Sequence, residues 1–294
     1  PLVPRTMKPT VFSLPYAPVS HFLPAGCIHW PLGDKDLLRR WVREVATLPN
    51  AFAVLMGDTS DNARTHFRDH VRSYRADQNS QQALDEYVRD DIRKLAKELD
   101  PIRSKLAGAI CGNHFWEFAD GTNSEQCLCQ LLRIPYLGPG GIVCVEFRDR
   151  GGKGRVCHQM TIYCHHHGGS MGGRTTGGDV AALERSEMSF DADVYALSHT
   201  HRRFGFKLPK LTVTAKGERR IIEQTRVLLR TGAFLKGYRE DNPNATQQHI
   251  PTYAEQRALR PTDLGWITLR INLGGTHARS HDDASRERQR REFT

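Results

Sequence analysis

Five short pieces of this chain carry groups that bind metal ions: Cys27-Ile28-His29, Gly57-Asp58, Gly112-Asn113-His114, His167-Gly168 and Ser198-His199-Thr200-His201. Each places thiol, carboxylate, amide or imidazole donors at the end of an apolar run, where sheet strands deliver side chains into a shared crevice. Nitrogen, oxygen and sulfur donors of these kinds suit divalent transition metals. Two such ions about 3.5–4 Å apart clamp a phosphoryl oxygen and balance charge on the entering and leaving sides. A pair of ions needs a bridging carboxylate, and Asp58, at the end of the run Ala51–Met56, is the candidate. His199 and His201 are two residues apart, so an extended backbone turns both imidazoles to one side. A Gly-Asp pair or a His pair alone reads equally well as a turn or a polar strand end. It is the ordered set that points to a metal site.

In order and content the pieces resemble the calcineurin-like metallophosphoesterase family, whose motifs read Asp-x-His, Gly-Asp, Gly-Asn-His, His-Gly and Gly-His-x-His. The resemblance spans roughly residues 24–232 and breaks twice: Cys27 stands where the family has Asp, and Ser198 replaces the Gly of the last motif. It implies that Cys27, His29, Asp58 and His201 surround one cation, and that Asp58, Asn113, His167 and His199 surround a second. His114 is implied to lie beside the metals without binding them, donating a proton to the leaving oxygen, a task suited to imidazole. Manganese, iron or zinc fits these donors, and a Cys27 thiolate tilts the choice toward zinc or iron. The implied activity is hydrolysis of phosphate esters, diesters before monoesters, by a hydroxide bridging the two metals. His165 and His166 are expected behind the site or at the surface. Asn62 and Arg174 are expected to contact substrate phosphate. Two other functions compete: a nuclease acting on DNA or RNA, and a metal-site binding module whose catalysis the Cys27 replacement has impaired.

These donors must be held by an α/β scaffold. Leu37, Leu38, Trp41, Val42 and Val45 follow helical spacing behind Asp34, a good N-cap. The continuous run Ala51–Met56 reads as a buried strand. A second helix is expected from about Ser80 to Leu99, stopped by Pro101, and a strand from Leu106 to Cys111 leads into Gly112-Asn113-His114. A helix near Ser124–Leu132 precedes a turn at Gly138-Pro139-Gly140-Gly141. Strands Ile142–Arg148 and Val156–Cys164 flank a hairpin-like Arg150–Gly154. Gly168–Gly178 reads as a glycine-rich loop, Asp193–Leu197 as a strand, and Phe204–Arg230 as several shorter strands. The order β-α-β-α-β followed by β-rich sequence indicates a mixed sheet. The resemblance implies two facing mixed β-sheets flanked by helices, a four-layer sandwich with the metal site at their common edge.

Composition sets the remaining bounds. The net charge of +9 invites an anionic partner, and its surplus lies near the histidines: thirteen Lys/Arg face eight Asp/Glu between Glu146 and Arg220, whereas the tail from Thr276 has five Arg and four acids. A basic cleft attracts any phosphate ester, so the expected partner is a phosphate-ester substrate, with nucleic acid one possibility and no membrane. No apolar run approaches the roughly 20 residues that span a bilayer, and seven cysteines without Cys-x-x-Cys spacing fit reduced thiols in a cytoplasmic protein. Leu2-Val3-Pro4-Arg5 resembles the remnant of a cleavable tag, so residues 1–10 are set apart from one metallophosphoesterase domain over 11–276. The polar run 277–294 offers almost no apolar area to bury and is expected to be disordered.

Overall fold

The computed structural model describes residues 9–61, 78–167, 175–213, 219–238 and 252–273. Residues 1–8 of the proposed tag remnant, Asn62, Arg174, Gly168 and the tail from residue 274 lie outside these residues, whereas Thr10, set apart with the remnant, instead opens the first strand of the fold.

Among the described residues ten strands form two sheets. The six-stranded sheet runs β1-β5-β6-β7-β9-β8 and the four-stranded sheet β10-β2-β3-β4. In chain order these are β1 (Thr10–Pro15), β2 (Val19–Phe22), β3 (Ala51–Met56), β4 (Leu106–Ile110), β5 (Gly140–Arg148), β6 (Val156–His165), β7 (Val194–Leu197), β8 (Arg203–Val213), β9 (Ile221–Thr231) and β10 (Leu269–Asn272). Helices α1 (Lys35–Thr47), α2 (Gln78–Leu99), α3 (Ser124–Leu132), α4 (Thr176–Ser189) and the single turn α5 (Tyr253–Gln256) accompany them, with short helical turns at Asp100–Lys105 and Asp149–Gly152. Both sheets are mixed: β2, β3 and β4 run parallel, as do β6, β7 and β9, while β10, β5 and β8 pair antiparallel with their neighbours β2, β6 and β9.

Strand β3 shows why the layers stack as they do. All six residues are buried, as expected of a parallel strand covered on both faces. Phe52, Val54 and Met56 point into a core shared with Val143, Val145 and Phe147 of β5 and with Val194 and Ala196 of β7. Ala51, Ala53 and Leu55 turn the other way, onto Leu38, Trp41 and Val45 of α1, Ile92 and Leu95 of α2 and Leu128 of α3. A third cluster, Tyr163, Tyr195, Leu197 and Leu228 with Leu183 of α4, covers the outer face of the larger sheet. The result is helices, sheet, sheet, helix, with the strand ends that precede the donor motifs brought to one edge.

The helix termini follow their sequence signals. Asp34 accepts a hydrogen bond from the Leu37 amide at 2.9 Å, and Asn123 with Gln126 forms a capping box at the start of α3. Three expectations require correction. The described parts of the segment Phe204–Arg230 form not several shorter strands but two eleven-residue strands, β8 and β9, paired along their whole length. The glycine-rich segment gives way to helix at Thr176, capped by the Thr175 side chain. Its apolar signal is blurred because the buried face of α4 carries Asp179, Ser186 and Glu187 beside Ala182 and Leu183. Of Gly138–Gly141, the last two residues belong to β5, and the turn is made by Gly138, at φ 75°, with Pro139.

All seven cysteines are free and six are buried. No helix among the described residues is long and apolar enough to cross a membrane.

Replacing Asp34 with Ala removes the side-chain cap of α1 and is expected to cost about 1 kcal/mol, measured by urea denaturation; an unchanged midpoint would show that the cap contributes nothing.

Candidate metal centre

The donors gather where β2, β3 and β4 of one sheet and β6 and β7 of the other reach their C-terminal ends. Beyond β2 the chain continues alongside β3, the Cys27 amide donating to Gly57 O at 3.0 Å and the His29 amide to Asp58 O at 2.9 Å. Among the described residues nine non-glycines have positive φ, and five of them are Cys27, His29, Asp58, His199 and His201, at φ 50–71°. Such conformations are costly for side chains with a Cβ, and they persist where surrounding contacts over-determine them. Here they turn five donors inward at once.

Asp58 lies at the centre and is 1% exposed. Its Oδ1 accepts from the backbone amides of Asn113 and His114 at 2.7 and 2.9 Å, while Oδ2 lies 2.9 Å from His166 Nε2 and 4.0 Å from His29 Nε2. Burial alone would raise its pKa, but His166, His29 and His114 together hold the carboxyl well below the usual range. Two glycines permit this approach. A Cβ on Gly112 would fall 2.0 Å from Asp58 Oδ1, and Gly57, at φ 82°, would meet His166 Nδ1 at 2.7 Å.

Three groups of donors have their ligand atoms within 4.8 Å of one another: Cys27, His29 and His201; Cys27, Asp58 and His166; and His29, Asp58 and His114. The donor chemistry fits metal ions. His29 Nε2 and His201 Nε2 face each other at 3.1 Å, and His29 Nδ1 is directed at the Asp61 carboxylate at 3.2 Å, which assigns the proton to Nδ1 and a lone pair to Nε2. His166 Nδ1 lies 2.9 Å from Met56 O and 2.7 Å from Ser198 Oγ. Its Nε2 faces two acceptors, Asp58 Oδ2 and Asn113 Oδ1, at 2.9 and 3.1 Å. Lone pairs converging on a common point without enough protons between them are what a cation satisfies. Burial, with His166 beside His199 and His29 beside His201, pushes both imidazoles down to about 3, so they stay neutral and able to ligate. Burial, reinforced by Asp58, pushes the Cys27 thiol well up; its thiolate requires a cation beside it.

The structure brings Cys27, His29, Asp58, Asn113, His114, His199 and His201 to this edge. It also places His166, not His167, against Asp58. The side chain of His166 is buried, whereas His167 is exposed, its ring packed on that of His199 at 4.1 Å between centroids. Of the two places expected for His166, the surface is excluded: β6 ends at His165, and strand alternation no longer governs the next two residues. Trp116 does not line the site, since its Nε1 donates to the buried Asp85 at 2.8 Å.

Asp61 joins the site although no sequence motif marks it. Its Oδ2 lies 3.2 Å from His29 Nδ1 and 3.0 Å from His114 Nδ1. Burial would raise its pKa, but contacts with His114 and His29 prevail and hold it at about 2. The signal that could have found it is the spacing Asp58-x-x-Asp61 on a chain leaving a buried strand.

No protein-family model matches this chain, and no curated protein does. Among solved structures, similarity is found to a conserved uncharacterized protein of Streptococcus pneumoniae described as a predicted phosphoesterase, at 11% identity over 87% of this chain and 84% of that one, with a TM-score of 0.31. It is also found to zinc-complexed Vps29 of Entamoeba histolytica, at 12% identity over 85% and 84% with a TM-score of 0.35. Vacuolar protein sorting 29 of Cryptosporidium parvum gives 14% identity over 88% of both chains and a TM-score of 0.36. Scores of this size carry no functional weight.

Gly112→Ala is expected to displace Asp58, lowering stability by about 1–3 kcal/mol and abolishing metal binding by calorimetry. Gly177→Ala, where nothing lies within 4 Å of the new Cβ, serves as the control and should leave both intact. Metal binding retained in Gly112→Ala would contradict the placement of Asp58.

A second expectation concerns Glu125, which is fully buried and accepts from Ser124 Oγ at 2.8 Å. Burial and the Asp58 charge outweigh the Ser124 hydrogen bond and push its carboxyl up from 4.5 to about 7. The folded chain thus binds an extra proton between those values, so this group's stabilising contribution is complete below about pH 4.5 and is lost as pH rises through 7. In metal-free protein, the stability difference between wild type and Glu125→Gln should shift by about 3 kcal/mol from pH 4.5 to 8, read from urea midpoints. A difference that does not vary with pH would show that Glu125 titrates normally.

Proposed function

We propose that this chain is a dinuclear-metal-dependent phosphoesterase acting on phosphodiesters in preference to monoesters. The observation that carries this is the pair of donor groups sharing Cys27: one with His29 and His201, the other with Asp58 and His166. Cys27, His29, Asp58 and His201 would hold one ion, and Asp58, Asn113, His166 and His199 the other, with His166 in the place that the His-Gly motif assigns to His167. Divalent manganese, iron or zinc bound there supplies Lewis acidity and an activated water for attack on phosphorus.

The chain's own contribution lies in orientation and proton handling. His114 Nδ1 lies 3.0 Å from Asp61 Oδ2, a contact that would leave the other ring nitrogen available to protonate a departing alkoxide. The same carboxylate oxygen fixes His29, so one buried Asp aligns a metal ligand and the proton donor together, as carboxylates behind ligating imidazoles do. Asn62 and Arg174 remain proposed phosphate contacts. The net charge of +9 supports a polyanionic substrate such as DNA or RNA, and seven free thiols support a reducing, cytoplasmic setting.

A binding module without turnover is the second reading. It rests on Cys27, whose buried thiol loses its proton only to a bound cation. One assay separates the two: hydrolysis of bis-p-nitrophenyl phosphate with added Mn²⁺ or Zn²⁺, with Asp58→Asn as control. The phosphoesterase reading predicts turnover that Asp58→Asn abolishes and that exceeds turnover of p-nitrophenyl phosphate. It further predicts that His114→Ala lowers the rate on a poor leaving group by about 10²–10⁴ without changing metal content. Metal bound without hydrolysis would favour the binding module, and loss of both metals in His114→Ala would make that residue a ligand.

A further inference from the structure

The turn Ser198–Arg202 that carries His199 and His201 is held by more than its own hydrogen bonds. Its first carbonyl, Ser198 O, accepts from Arg230 Nη1 at 2.7 Å. Arg230 is a residue of β9 with 1% exposure, and its Nη2 lies 3.1 Å from Asp179 Oδ1. Asp179, in the first turn of α4 and fully buried, meets Arg202 Nη1 at the far end of the turn with its other oxygen, at 3.0 Å. One carboxylate therefore ties both ends of a five-residue segment to the outer helix. Within that segment His199 and His201 sit at φ 71° and 56°, conformations that relax unless the ends are fixed.

Resting on the metal-centre reading above, we propose that Asp179 is a positioning residue, which through Arg230 and Arg202 clamps the turn so that His199 and His201 present their imidazoles to two metal ions. Asp179 touches neither metal nor substrate. A buried ion group of this kind adds little net stability over apolar side chains of similar size, yet breaking it by removing one partner is costly. The consequence of keeping it is geometric. Arg230 divides its guanidinium between Ser198 O and Asp179, so the position of the carboxylate sets the position of the turn's first carbonyl, which an apolar contact would not do.

The experiment is a Co²⁺ titration of the full chain, followed by calorimetry and by the visible d–d and thiolate-to-cobalt bands, with urea stability measured separately in EDTA. Wild type is compared with Asp179→Asn, with the apolar triple Asp179→Leu/Arg230→Met/Arg202→Met, and with Arg202→Met alone, which opens only the outer end. The clamp predicts that the triple variant weakens Co²⁺ binding by about 10–100-fold and Arg202→Met by about tenfold. The d–d bands should change shape, and the loss of affinity should not track stability in EDTA. If Asp179→Asn or the triple does not fold, Arg202→Met decides. Variants that fold and bind Co²⁺ with wild-type affinity and spectrum would overturn the clamp while leaving the metal centre standing. A wild type that binds no Co²⁺ at Cys27 would overturn the metal centre and the clamp with it.

Discussion

The structure turns on one buried carboxylate that stays charged. Asp58 is 1% exposed in a region of strand ends, and an unpaired carboxylate there would take up a proton. Two backbone amides on Oδ1 and the imidazole of His166 on Oδ2 keep it ionised. That requirement propagates outward. Gly112 has no side chain because Asp58 occupies the space, Gly57 turns into the left-handed region so that the carboxylate can follow a buried strand, and the His114 amide is drawn in, setting its ring beside Asp61. The four-layer sandwich provides what this arrangement needs: parallel strand ends from two sheets facing one another across a shared core.

Charge is arranged around Asp58 in a way that only a cation completes. His199 and His201 are kept neutral by burial, the Cys27 thiol is pushed toward protonation, and Asp61 and Asp58 remain ionised. Left alone, this is a cluster of lone pairs with too few protons among them. A divalent ion held by these residues would supply positive charge there and favour the Cys27 thiolate. Behind the cluster Asp179 and Arg230 form a second buried charged layer, so the polar interior continues from the crevice to helix α4.

Much of this is legible in the amino-acid order alone. The cap at Asp34, the strand Ala51–Met56 and the donors at the strand ends are local signals: a capping residue, a continuous apolar run, and polar residues directly after it. Helix α4 is hidden because its buried face carries Asp179 and Glu187, which partner arginine and lysine distant in sequence. The length of β8 and β9 depends on their pairing with each other, which no single segment reveals. Which of His166 and His167 packs against Asp58 depends on where β6 ends, which the His-Gly motif does not record. Asp61 is marked locally only by its spacing from Asp58, because its role requires His29 and His114 to be neighbours, a fact of tertiary structure. Local chemistry is written locally; partnership across the fold is not.

The central claim is that the edge around Asp58 holds two metal ions. Crystals grown with Zn²⁺ and measured above and below the zinc absorption edge test it most directly. Two anomalous peaks are expected, one bounded by Cys27, His29, Asp58 and His201 with a sulfur–zinc distance of about 2.3 Å, the other by Asp58, Asn113, His166 and His199. Anomalous density absent from this edge, or present only on surface histidines, would contradict the account.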